Sequence, residues 1–162
     1  MRKVVILGGG YGGLSTVHKL LEGELPKETE LILVDRMPYQ ALKTEFYALA
    51  AGTIADVDIR VPFPHDERLT IKYGEVTSID LDNRLVYLQN DEPLAYDWLV
   101  IALGCTDNYH GIPGAEQHTC SIQTLAQTRQ TYQNITNVKP YGQVTIVGGG
   151  LSGVEVAAEL RE

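Results

Sequence analysis

The stretch Val4-Val5-Ile6-Leu7-Gly8-Gly9-Gly10-Tyr11-Gly12-Gly13 decides the fold of this chain. Its first four residues form a continuous apolar run, the pattern of a parallel strand covered on both faces. Three glycines break that run at once. Leu14, Val17, His18, Leu20 and Leu21 then recur at the spacing of one helical face, up to Pro26. Leu31-Ile32-Leu33-Val34 is a second apolar run with Asp35 at its tip. Strand, loop, helix and strand make a βαβ unit, whose crossover is right-handed. Gly8 suits the tight turn out of the strand, Gly10 the approach of a backbone to a pyrophosphate, and Gly13 close packing of the helix on the sheet. Asp35 follows Gly13 by 22 residues, where a carboxylate can accept hydrogen bonds from an adenosine ribose. Loop N–H groups and the helix dipole favour an anion at the same place. The unit is expected to bind a dinucleotide.

The same device occurs a second time. Val4, Ile6, Gly8, Gly9, Gly10, Gly13 and Leu20 each match the residue 140 positions later. Val144 to Val147 therefore reads as a strand, Gly148, Gly150 and Gly153 as its glycine loop, and Leu151 to Arg161 as its helix. An acid about 20 residues on, the usual partner of such a loop, would fall past Glu162. The second copy reads as truncated, and the chain as a fragment. Two such loops imply two dinucleotides, and hence electron transfer between them.

Between the copies, Thr44 to Ala51 reads as a short helix ended by Gly52. Thr70 to Tyr73, Val76 to Ile79 and Leu85 to Leu88 read as short strands of a small antiparallel layer. Asp97 to Ala102 is another buried strand, and Cys105 to Gly114 a loop. Thr124 with Gln127 suits a capping box for a helix running to about Asn137. The fold class is α/β: a Rossmann-like three-layer domain with a small antiparallel β layer, then the first strand and helix of a second Rossmann-like domain. The expected division is 1–142 for the first domain, incomplete at its closing segment, and 143–162 for the start of the second.

Composition narrows the function. The net charge of −8 argues against nucleic acid or an anionic membrane surface as the main partner. The apolar N-terminal run is cut short by glycine, so it does not make a signal peptide. Trp98 to Gly104 is too short to cross a bilayer, and the chain reads as soluble and cytoplasmic. Cys105 and Cys120 form no CxxC pair, and His18, His65, His110 and His118 have no ligand spacing, so no metal site is expected.

The chain resembles the N-terminal part of a pyridine nucleotide–disulfide oxidoreductase-type flavoprotein, most closely a type II NADH dehydrogenase. GGGYGG at Gly8–Gly13, DRMPYQ at Asp35–Gln40, TEFYALAAG at Thr44–Gly52 and GEVTSID at Gly74–Asp80 carry the likeness. YDWLVIALG at Tyr96–Gly104, IPG at Ile112–Gly114 and GGGLSGVE at Gly148–Glu155 complete it. The resemblance implies FAD on the first loop and NADH, as substrate, on the second. A hydride would pass from NADH to FAD and the electrons on to a quinone or another acceptor. It also implies a membrane-attachment region beyond this chain, on the inner face of a membrane, and allows a homo-oligomer.

Residue by residue, the resemblance places Gly8, Gly10, Gly12 and Gly13 on the FAD pyrophosphate and Asp35 on the ribose, with Arg36 beside it. It places Lys43 and Thr44 beside the flavin ring and Val76 at adenine. Ala102 and Gly104 stand at the strand end where small residues let the flavin lie against backbone, although Leu103 replaces the family's usual Thr. Gly148, Gly150 and Gly153 fall on NAD. Glu155 has two readings: an acid near flavin and quinone, with a catalytic role, or a glutamate stabilised by the helix dipole. Disulfide reductases of this class carry a CxxxxC pair that the Thr44–Ala51 helix lacks. A sulfide:quinone oxidoreductase-like flavoprotein stays an alternative through Cys120, although its partner cysteine after the second loop is missing. The other alternative is a non-catalytic nucleotide-binding fragment.

Overall fold

A computed structural model describes residues 2–138 and 142–161. The first elements in chain order are β1 (Arg2–Leu7), α1 (Tyr11–Glu22), β2 (Thr29–Asp35), β3 (Tyr39–Ala41), α2 (Phe46–Ala51) and β4 (Arg60–Pro62). The chain continues with β5 (Leu69–Tyr73), β6 (Val76–Asp80), β7 (Leu85–Leu88), β8 (Leu94–Ala95) and β9 (Trp98–Ile101). It closes with α3 (Ala115–His118), α4 (Leu125–Thr136) and α5 (Leu151–Glu159). Two compact units emerge, one of residues 1–40 and 61–104, the other of residues 41–60 and 105–162.

The first unit is built on a parallel sheet in the order β5-β2-β1-β9. Val4 to Leu7 pair with Leu31 to Val34 on one side and with Trp98 to Ile101 on the other. With neighbours on both edges, β1 can be apolar on both faces. Val4 and Ile6 pack with Leu14 and Val17 of α1, Leu31 and Leu33 of β2, and Phe63. Val5 and Leu7 turn the other way, onto Val86, Leu88 and Leu94 of the antiparallel layer β6-β7-β8. Helix, parallel sheet and antiparallel sheet are therefore the three layers, each stabilised by burying the apolar face of its neighbour.

Two expectations change here. Residues Thr70 to Tyr73, read as part of the antiparallel layer, belong to the strand Leu69–Tyr73, which pairs in parallel with Leu31 to Asp35. Strand length and composition predict a strand but not its partner; the partner here is decided by Leu69 and Ile71 packing against the α1-side core. The antiparallel layer takes its third strand instead from Leu94–Ala95, pairing with Val86 and Leu85. Strand β9 ends the sheet with Trp98 and Ile101 half-exposed. Beside it, Val4, Leu20, Leu25, Pro26, Trp98 and Val100 line an apolar groove of about 350 Å³.

The second unit is helical. Helix α2 buries Phe46, Ala48, Leu49 and Ala50 and packs on α4 and α5. Gly52 ends it at φ +87°, its N–H donating to the Ala48 and Leu49 carbonyls in a left-handed cap. Thr124 caps α4 as its spacing predicts: Oγ1 accepts the Gln127 N–H at 3.2 Å and donates to Gln127 Oε1 at 2.8 Å. Residues Val144 to Val147, expected as a strand, join no sheet among the described residues, and Val147 is 86% exposed. A strand exists by its ladder to a neighbour, and no described residue supplies one. Helix α5 forms nevertheless, because its hydrogen bonds are local.

Asp56 ties this unit together. Its Oδ1 accepts from Arg60 Nε at 2.9 Å, while its Oδ2 accepts from Arg129 Nε of α4 at 2.6 Å. The Arg60 hydrogen bond first, and Arg129 after it, hold the Asp56 carboxyl below its ordinary 3.8. A carboxyl depressed on folding stabilises fully above its unfolded value and loses that contribution as pH falls through the lower folded one. Asp56→Asn is expected to lower unfolding free energy by about 1 kcal/mol at pH 7. Urea titrations should show that gap closing as the pH falls below about 3.8.

Candidate functional site

The first glycine loop is a turn whose glycines meet different constraints. Gly8 leaves β1 at φ +98°, donates its N–H to the Val34 carbonyl at 2.8 Å, and lies against the carbonyl of Ala102. A side chain there would be strained by the backbone and blocked by the end of β9 at once. Gly13 lies on the Gly8 carbonyl oxygen, with Ile6 Cγ2 at 3.5 Å from where a Cβ would stand. Only a glycine lets α1 begin this close to the strand before it. Gly10 is the opposite case: a Cβ on it would meet nothing within 4 Å. Its backbone faces open space at the N-terminal end of α1, where helix dipole and first-turn N–H groups favour a negative charge. Nothing that a Cβ on Gly10 would meet requires a glycine there, and the space in front of it is open. The residues fit a pyrophosphate.

Three further segments of this unit converge on the loop. The Ala102 N–H donates to the Leu7 carbonyl at 2.8 Å, carrying the β9 ladder one residue past the strand, and Ala102 Cβ lies 3.6 Å from a Cβ placed on Gly12. Gly104 comes next at φ +80° with open space around it. At the tip of β2, Asp35 Oδ2 accepts the Gly9 N–H at 2.6 Å and Oδ1 accepts the Met37 N–H at 2.8 Å. An ionised carboxylate has about four acceptor positions, so each oxygen retains one for a hydroxyl of a ribose diol. Gly74 donates its N–H to the Asp35 carbonyl at 3.0 Å, which brings the start of β6, and with it Val76, to the same end of the sheet. Arg36 reaches Glu75 at 3.7 Å in an exposed ion pair.

Gly8, Gly10, Gly12, Gly13, Asp35, Arg36, Val76, Ala102 and Gly104 thus share the first unit. Lys43 and Thr44 belong to the second, in a 3-10 turn that opens onto α2. The second glycine loop lies there too, and copies the first closely. Gly148 has φ +108°, Gly150 precedes α5 in an extended conformation as Gly10 precedes α1, and Gly153 lies on the Gly148 carbonyl with Ile146 Cγ2 again at 3.5 Å. Glu155 is half-buried on α5. Cys105 and Cys120 are both exposed, and Asn134 Nδ2 lies 3.0 Å from Cys120 Sγ. Among the described residues no cluster of His, Cys, Asp or Glu could hold a metal, and no helix is long and apolar enough to cross a membrane. One contributor escapes a reading of the sequence: Phe63, a lone aromatic between two prolines, lies against Gly9.

Comparison with known proteins finds relatives along the whole chain. The sequence profile of the pyridine nucleotide-disulphide oxidoreductases matches residues 2–162. The chain is 53% identical over its whole length to an NADH dehydrogenase-like protein, YutJ, of Bacillus subtilis, covering 46% of that protein. It is 30% identical to a type II NADH:quinone oxidoreductase of Staphylococcus aureus, with 99% of this chain and 43% of that protein aligned. The crystal structure of a sulfide:quinone oxidoreductase from Aquifex aeolicus superposes with a TM-score of 0.73 at 29% identity, over 84% of this chain and 32% of that one. The chain spans less than half the length of the curated relatives it matches.

The two kinds of glycine separate in a stability measurement. Gly13→Ala forces a methyl group into the Gly8 carbonyl and should cost about 1–3 kcal/mol as overpacking does, lowering the thermal midpoint. Gly10→Ala meets no atom and should leave stability within about 0.5 kcal/mol of the wild type.

Proposed function

The chain belongs to the pyridine nucleotide-disulphide oxidoreductase family, and from that premise we propose that it forms the FAD-binding part of an enzyme that takes a hydride from NADH and delivers the electrons to a quinone. The observation that carries the reading is the open face at Gly10, in a loop where Gly8 and Gly13 are held by packing. A pyrophosphate placed there would meet the N-terminal end of α1, and an adenosine ribose would meet the acceptor positions left on Asp35. Gly8, Gly12 and Gly13 shape that cradle, and Arg36 and Val76 would border the adenosine. Ala102 and Gly104, small and at a strand end, leave room for the isoalloxazine to approach backbone. Lys43 and Thr44 are assigned to the same flavin.

The second loop is assigned to NADH through Gly148, Gly150 and Gly153. Glu155 is assigned a catalytic role as the acid near flavin and quinone. In this reading residues 1–142 are the FAD domain and residues 143–162 open the NAD(P) domain. The half-exposed edge of β9 and its apolar groove suit a sheet-completing segment supplied from elsewhere in the full-length protein. Quinone is a membrane-borne acceptor, so the full-length protein is placed on the inner face of a membrane, with homo-oligomerisation compatible with it. Sulfide chemistry is not favoured, because Leu151 to Glu155, just after the second loop, contain no cysteine to pair with Cys120.

Purified full-length protein is expected to show flavin absorbance bands that bleach when NADH is added without oxygen. A protein that folds and stays colourless in excess FAD would overturn the reading. Gly10→Ala should fold yet lose most of its flavin, since its methyl group occupies the face assigned to the pyrophosphate. Asp35→Ala should weaken FAD binding by roughly 1.5–3 kcal/mol, the worth of hydrogen bonds to a charged group, read by equilibrium titration of the apoprotein.

A further inference from the structure

Gly9 has no role in the dinucleotide loop as its glycine spacing is usually understood, since the turn, the phosphate approach and the helix contact fall on Gly8, Gly10 and Gly13. Its surroundings supply one. A Cβ on Gly9 would stand 2.5 Å from Phe63 Cζ, 2.6 Å from Phe63 Cε1 and 3.2 Å from Asp35 Oδ2. The ring of Phe63 and the carboxylate of Asp35 therefore fill the space in front of this residue. Beside the ring runs the hydrogen bond from the Gly9 N–H to Asp35 Oδ2, at 2.6 Å among the shorter ones in the molecule.

Phe63 itself is only 5% exposed and packs with Ile6, Leu14, Val17 and Leu33. Its backbone is constrained in advance. Pro62 has its φ set by its ring, and Pro64 biases the residue before it toward extended conformations. The ring is thus presented by a stiff segment rather than by a loop free to withdraw. A hydrogen bond to a charged oxygen strengthens where water is kept from it, because the local dielectric falls. With Oδ1 already held by the Met37 N–H, a carboxylate fixed at Oδ2 in this way also loses the freedom to rotate away from a ligand.

We infer that Phe63 is a positioning residue for the dinucleotide: its ring pins Gly9 against Asp35, shields the hydrogen bond between them, and so holds the carboxylate in the orientation that accepts the ribose. The inference rests on the reading of Asp35 as the ribose acceptor. It gives the proline-flanked aromatic a function beyond filling the core. It also accounts for the middle glycine of the loop, which must lack a side chain so that ring and carboxylate can both close on it.

The test is FAD titration of the full-length apoprotein, monitored by quenching of flavin fluorescence. Phe63→Leu keeps an apolar side chain in the core but removes the ring edge over Gly9, and Phe63→Met, closer in volume, is measured beside it. Both should raise the dissociation constant about tenfold, a change of the size expected when contacting groups are uncoupled. In an Asp35→Asn background the same substitutions should change it less than about twofold, because the group through which Phe63 acts is already impaired. Val86→Ala, a core truncation in the separate cluster on the other face of the sheet, is the control for lost packing and should leave FAD affinity within about twofold of wild type. A tenfold effect of Phe63→Leu that persists in the Asp35→Asn background would overturn the inference, as would a matching loss in Val86→Ala. Wild-type affinity in Asp35→Asn alone would instead remove the ribose reading itself, and the two failures are told apart by that single variant.

Discussion

The contact between the Gly8 carbonyl and Gly13 is the constraint on which the first unit depends. Because no side chain intervenes, α1 starts within one turn of the end of β1 and lies back along it. That places Leu14 and Val17 over Val4 and Ile6, and it obliges the opposite face, with Val5 and Leu7, to find another cover. The antiparallel layer is that cover. A bulkier residue at position 13 would lift the helix from the sheet, and dispersion contacts weaken steeply with even a small gap. The same close approach leaves the N-terminal end of α1 beside the end of β2 and the end of β9, so the anion-favouring helix terminus, the carboxylate of Asp35 and the backbone at Ala102 come together as a consequence of packing.

The chain contains this contact twice, and the two copies show how local and long-range causes divide. Gly153 lies on the Gly148 carbonyl much as Gly13 lies on that of Gly8, with the isoleucine two residues before each loop at the same distance. Glycine spacing alone accounts for that likeness, since every atom involved lies within a few residues. The apolar runs that lead into the two loops differ. Val4 to Leu7 have strands on both sides, and each of their buried side chains is covered. Val144 to Val147 have a similar apolar character and no ladder among the described residues, and Val144, Ile146 and Val147 are correspondingly open to solvent. An apolar run becomes a strand only when neighbours satisfy its backbone hydrogen bonds.

Much of the architecture was legible along the chain because its causes are short-range. The apolar runs of β1, β2 and β9 and the helical face of α1 could be read from periodicity. The caps could be read too: Gly52 ends α2 in a left-handed turn, and Thr124 bonds to Gln127 at the start of α4. The misreading of Thr70 to Tyr73 has a different origin. Alternation and β-branched content mark a strand, but a parallel neighbour is reached through a crossover and leaves no local trace. Strand β8 was too short, at two residues, to rise above its turn-like flanks. Likewise α3, a four-residue helix after a left-handed Gly114, carries almost no periodic signal.

The sequence by itself determined the two glycine loops, the helices they open, and the acid at the end of β2, because each depends on backbone conformations that only certain residues adopt. It also singled out candidate site residues on those segments. Only the tertiary structure decided that in the first loop Gly8, Gly9 and Gly13 are held by packing while Gly10 faces open space, since that depends on what other segments bring to the loop. Phe63 shows the difference most plainly. It lies far along the chain from Gly9 and Asp35, in a stretch with no periodic pattern, and its closeness to both arises from long-range packing of the sheet and its connections, which no local pattern encodes.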